Sequence, residues 1–318
     1  MTSRPTIQPQ RLKARQQTVD FMGDKNPFSI YDFLGYLFPG IVSIFVVFIV
    51  RQSVVSPYYD LFDCIQVGNV MEMIREKMNL NWLEASVAVV VVSYIAGHIV
   101  AYLSSLSVEF LANKSLRYPS EYLLEKNDRS FYCEFFHKAD RIYKKVYRWF
   151  ILIVLWPISL FLFILSEHGL RDFLVHPLPD YIVKAIKTKT YNLYNMLGLE
   201  RRSVNDNFDF HRVVMHYTYL HVENAQRKAD NYVALYGFLR AMCFISIIFY
   251  DIIVIYALST FRFMFYDNIT VYVNWFAIEG IVCGFFICIL LFLAFVKFYR
   301  RFTLENFMAL ITTCKDFS

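Results

Sequence analysis

The chain has 318 residues, 57% of them hydrophobic, 19% aromatic and 19% charged, with a formal net charge of +5. Soluble domains are poorer in apolar side chains and richer in charge, so this balance argues against a soluble domain and for an integral membrane protein. The charge is small but unevenly spread, and where the bases fall fixes topology better than their total does.

Residues 1–27 carry Arg4, Arg11, Lys13, Arg15 and Lys25 ahead of an apolar run longer than a cleavable signal peptide uses, with no small-residue cleavage site behind it. They read as a cytoplasmic tail before a retained first span, Phe28 to Val50. Within that span Pro39 lacks a backbone donor and Gly40 is permissive, so a kink is expected whose freed carbonyl neighbouring helices must satisfy.

The string Tyr31-Asp32-Phe33-Leu34-Gly35-Tyr36-Leu37-Phe38-Pro39-Gly40 resembles the first span of a loose class of mostly uncharacterised bacterial multi-pass proteins. Some of that class look like membrane effectors of antiphage defence operons, which perturb the inner membrane when a cytosolic partner senses infection. The resemblance covers about ten residues; it implies the class and assigns no functional residue.

Residues 51–81 hold only Arg51, Arg75 and Lys77 as strong bases, the sparse charge of an outside loop. Span two, Ala85 to Ser105, carries small residues at every fourth position, Ser93, Gly97, Ala101 and Ser105, a row that lets another helix approach closely. His98 stands beside the row. Hydrogen bonding within the bundle and lining an ion path are both open to it.

Beyond span two the chain turns basic, with nine Lys and Arg from Lys114 to Arg148 interleaved with Tyr and Phe. Under the positive-inside rule this is the strongest cytoplasmic signal in the protein. Rings between bases can stack nucleobases while the bases hold phosphates; an amphipathic helix pair on anionic lipid, or packed into a cytosolic core, explains the same pattern. Trp149 to Leu165 is apolar but short for a span and interrupted at Trp156-Pro157. Leaving it re-entrant or buried keeps every basic segment inside, which favours four spans with both termini cytoplasmic over five.

The prolines at 177 and 179 and Gly198 delimit a helix from Asp180 to Leu197, on which Lys184 and Lys187 share a face. From Asn205 a second helix is signalled by a seam at Phe210, Val213, Tyr217 and Leu220, then Ala225, Ala229, Tyr232, Tyr236 and Leu239, with one step of five between the sets. No proline separates it from span three, Ala241 to Phe261, so a continuous stalk into the membrane is expected. Span three places Asp251 near the bilayer centre, beside Ser246 and Tyr250, where an ionisable group needs a partner or a wet cavity. Span four, Trp275 to Val296, has Glu279 near its outer end and Gly280 and Gly284 at G-x-x-x-G spacing. Lys297 to Arg301 closes it as a snorkelling cluster, and in the cytoplasmic tail, 297–318, the stretch from Thr303 to Ser318 reads as short and amphipathic.

No Gly-rich phosphate loop, nucleophile elbow or H-E-x-x-H pair occurs, and the six cysteines are scattered. His211, His216 and His221 recur every five residues, each turned by about 140° from the last on a helix, so they do not build a metal site alone. The sequence calls for no cofactor, no metal and no catalytic residue, and the chain reads as a non-enzyme.

The expected architecture is all-α: two transmembrane hairpins, 28–105 and 241–296, flanking a basic helical cytosolic domain, 106–240, in the bacterial inner membrane. The functional expectation is an oligomeric effector that conducts ions or perturbs the bilayer. An anionic nucleotide, an oligonucleotide or a soluble cytosolic partner would gate it. Asp251, Tyr250, Ser246, His98 and Glu279 are the pore or gate candidates. Lys144, Lys145, Arg148, Lys184, Lys187, Arg201, Arg202, Arg227 and Lys228 are the ligand-binding candidates. A non-conducting anchor for a soluble partner is the alternative, and a lipid-directed membrane enzyme has the fewest residues in its favour.

Overall fold

The computed structural model describes residues 32–55, 75, 81–125, 135–136, 141–167, 174–198, 208–222, 225–266 and 275–313. Among them all regular structure is helical, with no strand. Four helices are long and apolar enough to cross a membrane, and a bent pair forms the short fifth apolar element.

A π turn, Phe33–Leu37, leads into α1, Phe38–Val55. The disturbance expected at Pro39 takes this form: Pro39 has no N–H to give, and the turn before it widens so that Phe38 N–H bonds back to Phe33. Helix α2, Trp82–Ser104, opens with a capping box between Asn81 and Glu84 and packs along α1. A second π turn, Ser105–Glu109, and α3, Phe110–Ser115, extend it, and α4, Pro119–Tyr122, follows.

The bent pair is α5, Ile142–Val154, and α6, Trp156–Glu167, which meet at 98°. The elbow is Leu155, with φ −103° and ψ 33°, and Pro157 just beyond cannot donate back into α5. Helix α7, Asp180–Met196, begins after Pro179 and ends near Gly198, whose φ of +65° suits glycine, in agreement with the expected limits.

The expected stalk from Asn205 is instead two helices, α8, Phe208–His221, and α9, Ala225–Tyr266. They part where the seam takes its step of five, since a stripe shifted by one residue cannot face one core along a single straight helix. Helix α9 itself runs unbroken for 42 residues, through Gly237 and into span three.

Helix α10, Trp275–Thr313, runs through the Lys297 to Arg301 cluster, so the stretch from Thr303 continues the helix of span four. Phe307 and Leu310 are buried in the same apolar core as Leu111, Tyr122, Leu155, Ile186 and Val214, and Phe302 is buried against His211 and Tyr236. In water, burying each such side chain contributes about 1.5–3 kcal/mol.

Helices α9 and α10 pair antiparallel, with Cys243 Sγ facing the Cys288 carbonyl at 3.9 Å and Gly284 against the Tyr250 ring. Helix α9 also touches α1 and α2, so the two hairpins form one bundle. Helices α4, α6, α7 and α8 gather around α10. The starts of spans one and three and the ends of spans two and four share one end of this bundle. The extra-membrane helices continue the core at that end.

Candidate functional site

Asp251 lies on α9, about 16 Å beyond Arg240 at 1.5 Å per residue. Its carboxylate accepts a hydrogen bond from Trp156 Nε1 at 3.0 Å. Trp156 is the first residue after the elbow, so the tip of the bent pair is fastened to the middle of span three. The indole also packs on Tyr250 (ring centroids 5.7 Å apart) and Phe285 (6.3 Å). Gly284 completes the arrangement, because a Cβ there would come within 2.8 Å of the Tyr250 ring. The partner that such a group needs is thus an indole 95 residues away. Tyr250 is buried and packs by its ring, and Ser246 on the preceding turn is half-buried.

The other gate candidates do not join this group. Glu279 is exposed near the start of α10. His98 is exposed on the bundle flank, its ring stacked on Tyr36 at 3.9 Å and edge-on to Tyr94. It faces neither a buried partner nor the bundle interior.

The small-residue row does the packing expected of it at its first two positions. Ser93 and Gly97 are buried against α1: a Cβ on Gly40 would collide with the Ser93 backbone, and one on Gly97 with the Tyr36 backbone. The next position, Ala101, offers its carbonyl to Arg240, and at Ser105 the row ends because the π turn changes the register. Gly280 corrects the G-x-x-x-G expectation: it is exposed with nothing near it, and only Gly284 makes a contact.

A second polar group, not found from the sequence, sits where spans two and three meet. Arg240 pairs with the Glu109 carboxylate and donates to Ser104 Oγ at 3.2 Å and to the Ala101 carbonyl at 3.4 Å. Ser105 Oγ donates to the same carboxylate at 3.2 Å. Ser104 and Glu109 are five residues apart, a rotation of about 140° on an α-helix; the wider π turn brings both to Arg240. The Glu109 charge is also felt by Tyr118, Tyr236 and Tyr299. The available signal was one acid and one base, each just outside a span at the same membrane boundary.

The ligand-binding candidates fall into three sets. Lys144 and Lys145 on α5, Lys184 and Lys187 on α7, and Arg227 and Lys228 on α9 are exposed. Arg148 is corrected: it is buried and donates to the Phe135 carbonyl, so it holds the fold and presents nothing to a ligand. Arg201 and Arg202 lie outside the described residues. On α8 the histidines point apart. His211 lies edge-on to Phe302 and Phe307, and burial lowers its pKa to about 4; His216 is exposed; His221 stacks on Tyr217. Burial, with Asp230 nearby, raises Tyr219 to about 12.

No protein-family model matches the chain, and neither a curated protein nor a solved structure resembles it, so its functional reading rests on these residues.

Proposed function

We propose that the chain is a membrane effector, in which engagement of its extra-membrane helices displaces spans three and four and makes the bilayer permeable to ions. The observation that carries this reading is the continuity of α9. One helix has Arg227 and Lys228 exposed at its first turn and Asp251 fastened to the bent pair in its membrane part. A ligand or partner that binds the first turn moves the carboxylate with it, because a helix without a break transmits displacement along its axis.

The proposed trigger is an anionic molecule, a nucleotide or oligonucleotide, or an acidic face of a soluble protein. It would be held by the exposed bases Arg227 and Lys228 of α9 and Lys184 and Lys187 of α7. Charge distribution favours the cytoplasm for that body and the bacterial inner membrane for the spans. Conduction calls for assembly or opening: in one copy the bundle interior is filled by Ile247, Tyr250, Phe292 and Phe295. A homo-oligomer, or withdrawal of Trp156 from Asp251, supplies the missing path. The first-span resemblance fits a role in antiphage defence.

That filled interior also favours a second reading, a non-conducting anchor for a soluble partner. Ion flux from liposomes separates the two, comparing wild type with Asp251→Asn and Trp156→Phe, with and without oligonucleotide on the body side. Flux that responds to oligonucleotide and changes in both variants supports the effector. Folded, inserted protein that passes no ions in any arm supports the anchor.

A further inference from the structure

Helix α5 wears its faces the wrong way round for water. Ile142, Val146, Trp149, Phe150 and Ile153 lie within about 100° on the helical wheel, and all are exposed, Ile142 to 81% and Ile153 to 67%. The residues turned into the protein are Ile151, Leu152 and the charged Arg148. A helix on a soluble body would bury the stripe and expose the arginine.

The depth of the stripe is set at both ends. Tyr147 donates to the Leu106 carbonyl at 2.6 Å, just past the end of span two, and Trp156 reaches Asp251 in the middle of span three. The stripe therefore descends from the membrane boundary into the apolar layer. Arg141, Lys144 and Lys145 sit at its upper end, exposed, and form no ion pair among the described residues. Their long stems allow the charges to stay at the boundary while the helix below is immersed.

We propose that α5 is a binding site for anionic phospholipid, with Arg141, Lys144 and Lys145 holding the headgroup and the Ile142 to Ile153 stripe lying along the acyl chains. This assigns Lys144 and Lys145 to lipid and leaves the bases of α7 and α9 for a soluble trigger. A nucleic acid or an acidic protein would leave five large apolar side chains in water; a lipid covers both faces. The site holds whether or not the chain conducts ions.

The test uses the full chain in vesicles of phosphatidylcholine, alone or with one quarter phosphatidylglycerol. Trp149 emission is taken as the difference between wild type and Trp149→Phe. Acyl-brominated lipid is expected to quench it and aqueous iodide to leave it unchanged. Native mass spectrometry then reads bound phosphatidylglycerol, whose affinity is expected to fall about a hundredfold in Arg141→Gln/Lys144→Gln/Lys145→Gln, since each of the three bases at an anionic surface contributes about fivefold. The charge-keeping Arg141→Lys/Lys144→Arg/Lys145→Arg variant is expected to retain it. Circular dichroism confirms equal helix content. Quenching by iodide alone, or equal phosphatidylglycerol in the Gln variant and wild type, would overturn the proposal. So would protection of Lys144 and Lys145 from acylation by an oligonucleotide but not by phosphatidylglycerol.

Discussion

His211 is neutral in the folded protein because its ring is enclosed by Phe302 and Phe307 and burial lowers its pKa to about 4. In the unfolded chain the imidazole titrates near 6.5. Between those values the unfolded chain binds a proton that the folded one does not, so stability is lost as pH falls through 6.5 toward 4. The full loss is about 3 kcal/mol below pH 4. His211→Leu is therefore expected to flatten the fall in melting temperature between pH 7 and pH 4.5, followed by tryptophan fluorescence in detergent, while carboxylate effects remain in both proteins. Glycines give a second contrast. Gly97→Ala forces the backbones of α1 and α2 apart and is expected to cost about 3 kcal/mol, the upper range for overpacking. Gly280→Ala meets nothing and should leave the melting temperature within a degree or so of wild type. The sequence pattern had ranked the two positions equally. Period-four spacing reports which side chains share a face, but only the fold says whether another helix lies opposite. Asp251 was legible as an acid inside an apolar span; its partner Trp156 was not, because nothing local ties residues so far apart.

At the scale of elements, the two hairpins are joined by the Glu109 to Arg240 pair across a π turn. Removing one member of a partly buried pair leaves the other charge without compensation, at about 3 kcal/mol, the lower end of the measured range. Arg240→Gln is thus expected to destabilise more than the double Arg240→Gln/Glu109→Gln, a reversal of simple additivity that thermal unfolding would reveal. Equal or additive losses would mean that the pair does not hold the hairpins. Hydropathy located all four spans, since length and apolar content are local properties. It did not show that span four and the amphipathic stretch from Thr303 are one helix, because the Lys297 to Arg301 cluster stands between them. The clue lay beyond it: Phe302, Thr303, Asn306, Phe307 and Leu310 recur in steps that return one face to the core, with neither Pro nor Gly between. A disturbance before Pro39 was legible, though not that it would be a π turn; the second π turn, Ser105–Glu109, has no proline beside it to announce it.

For the whole molecule, one apolar core runs from Leu310 at one extreme to Tyr250 in the membrane part. A chain ending at Val296 would lose Phe302, Phe307 and Leu310 and expose the faces of Phe210, His211 and Tyr236 that pack on the two phenylalanines. It is expected to aggregate on extraction, whereas a separable tail would leave a monodisperse peak in size-exclusion chromatography. The proposed route from trigger to membrane depends on that unity, because a body hinged freely on the spans would move without them. The bent pair has a further consequence. Its elbow stops at the level of Asp251, so α5 and α6 add their cross-section to one leaflet, while among the described residues the other leaflet meets only the four spans. The described helices accordingly form a wedge, broader on the side of the extra-membrane helices. A wedge crowds one monolayer more than the other, so the protein is expected to favour curved over flat bilayers of the same composition, a preference that sedimentation with small and large vesicles would measure.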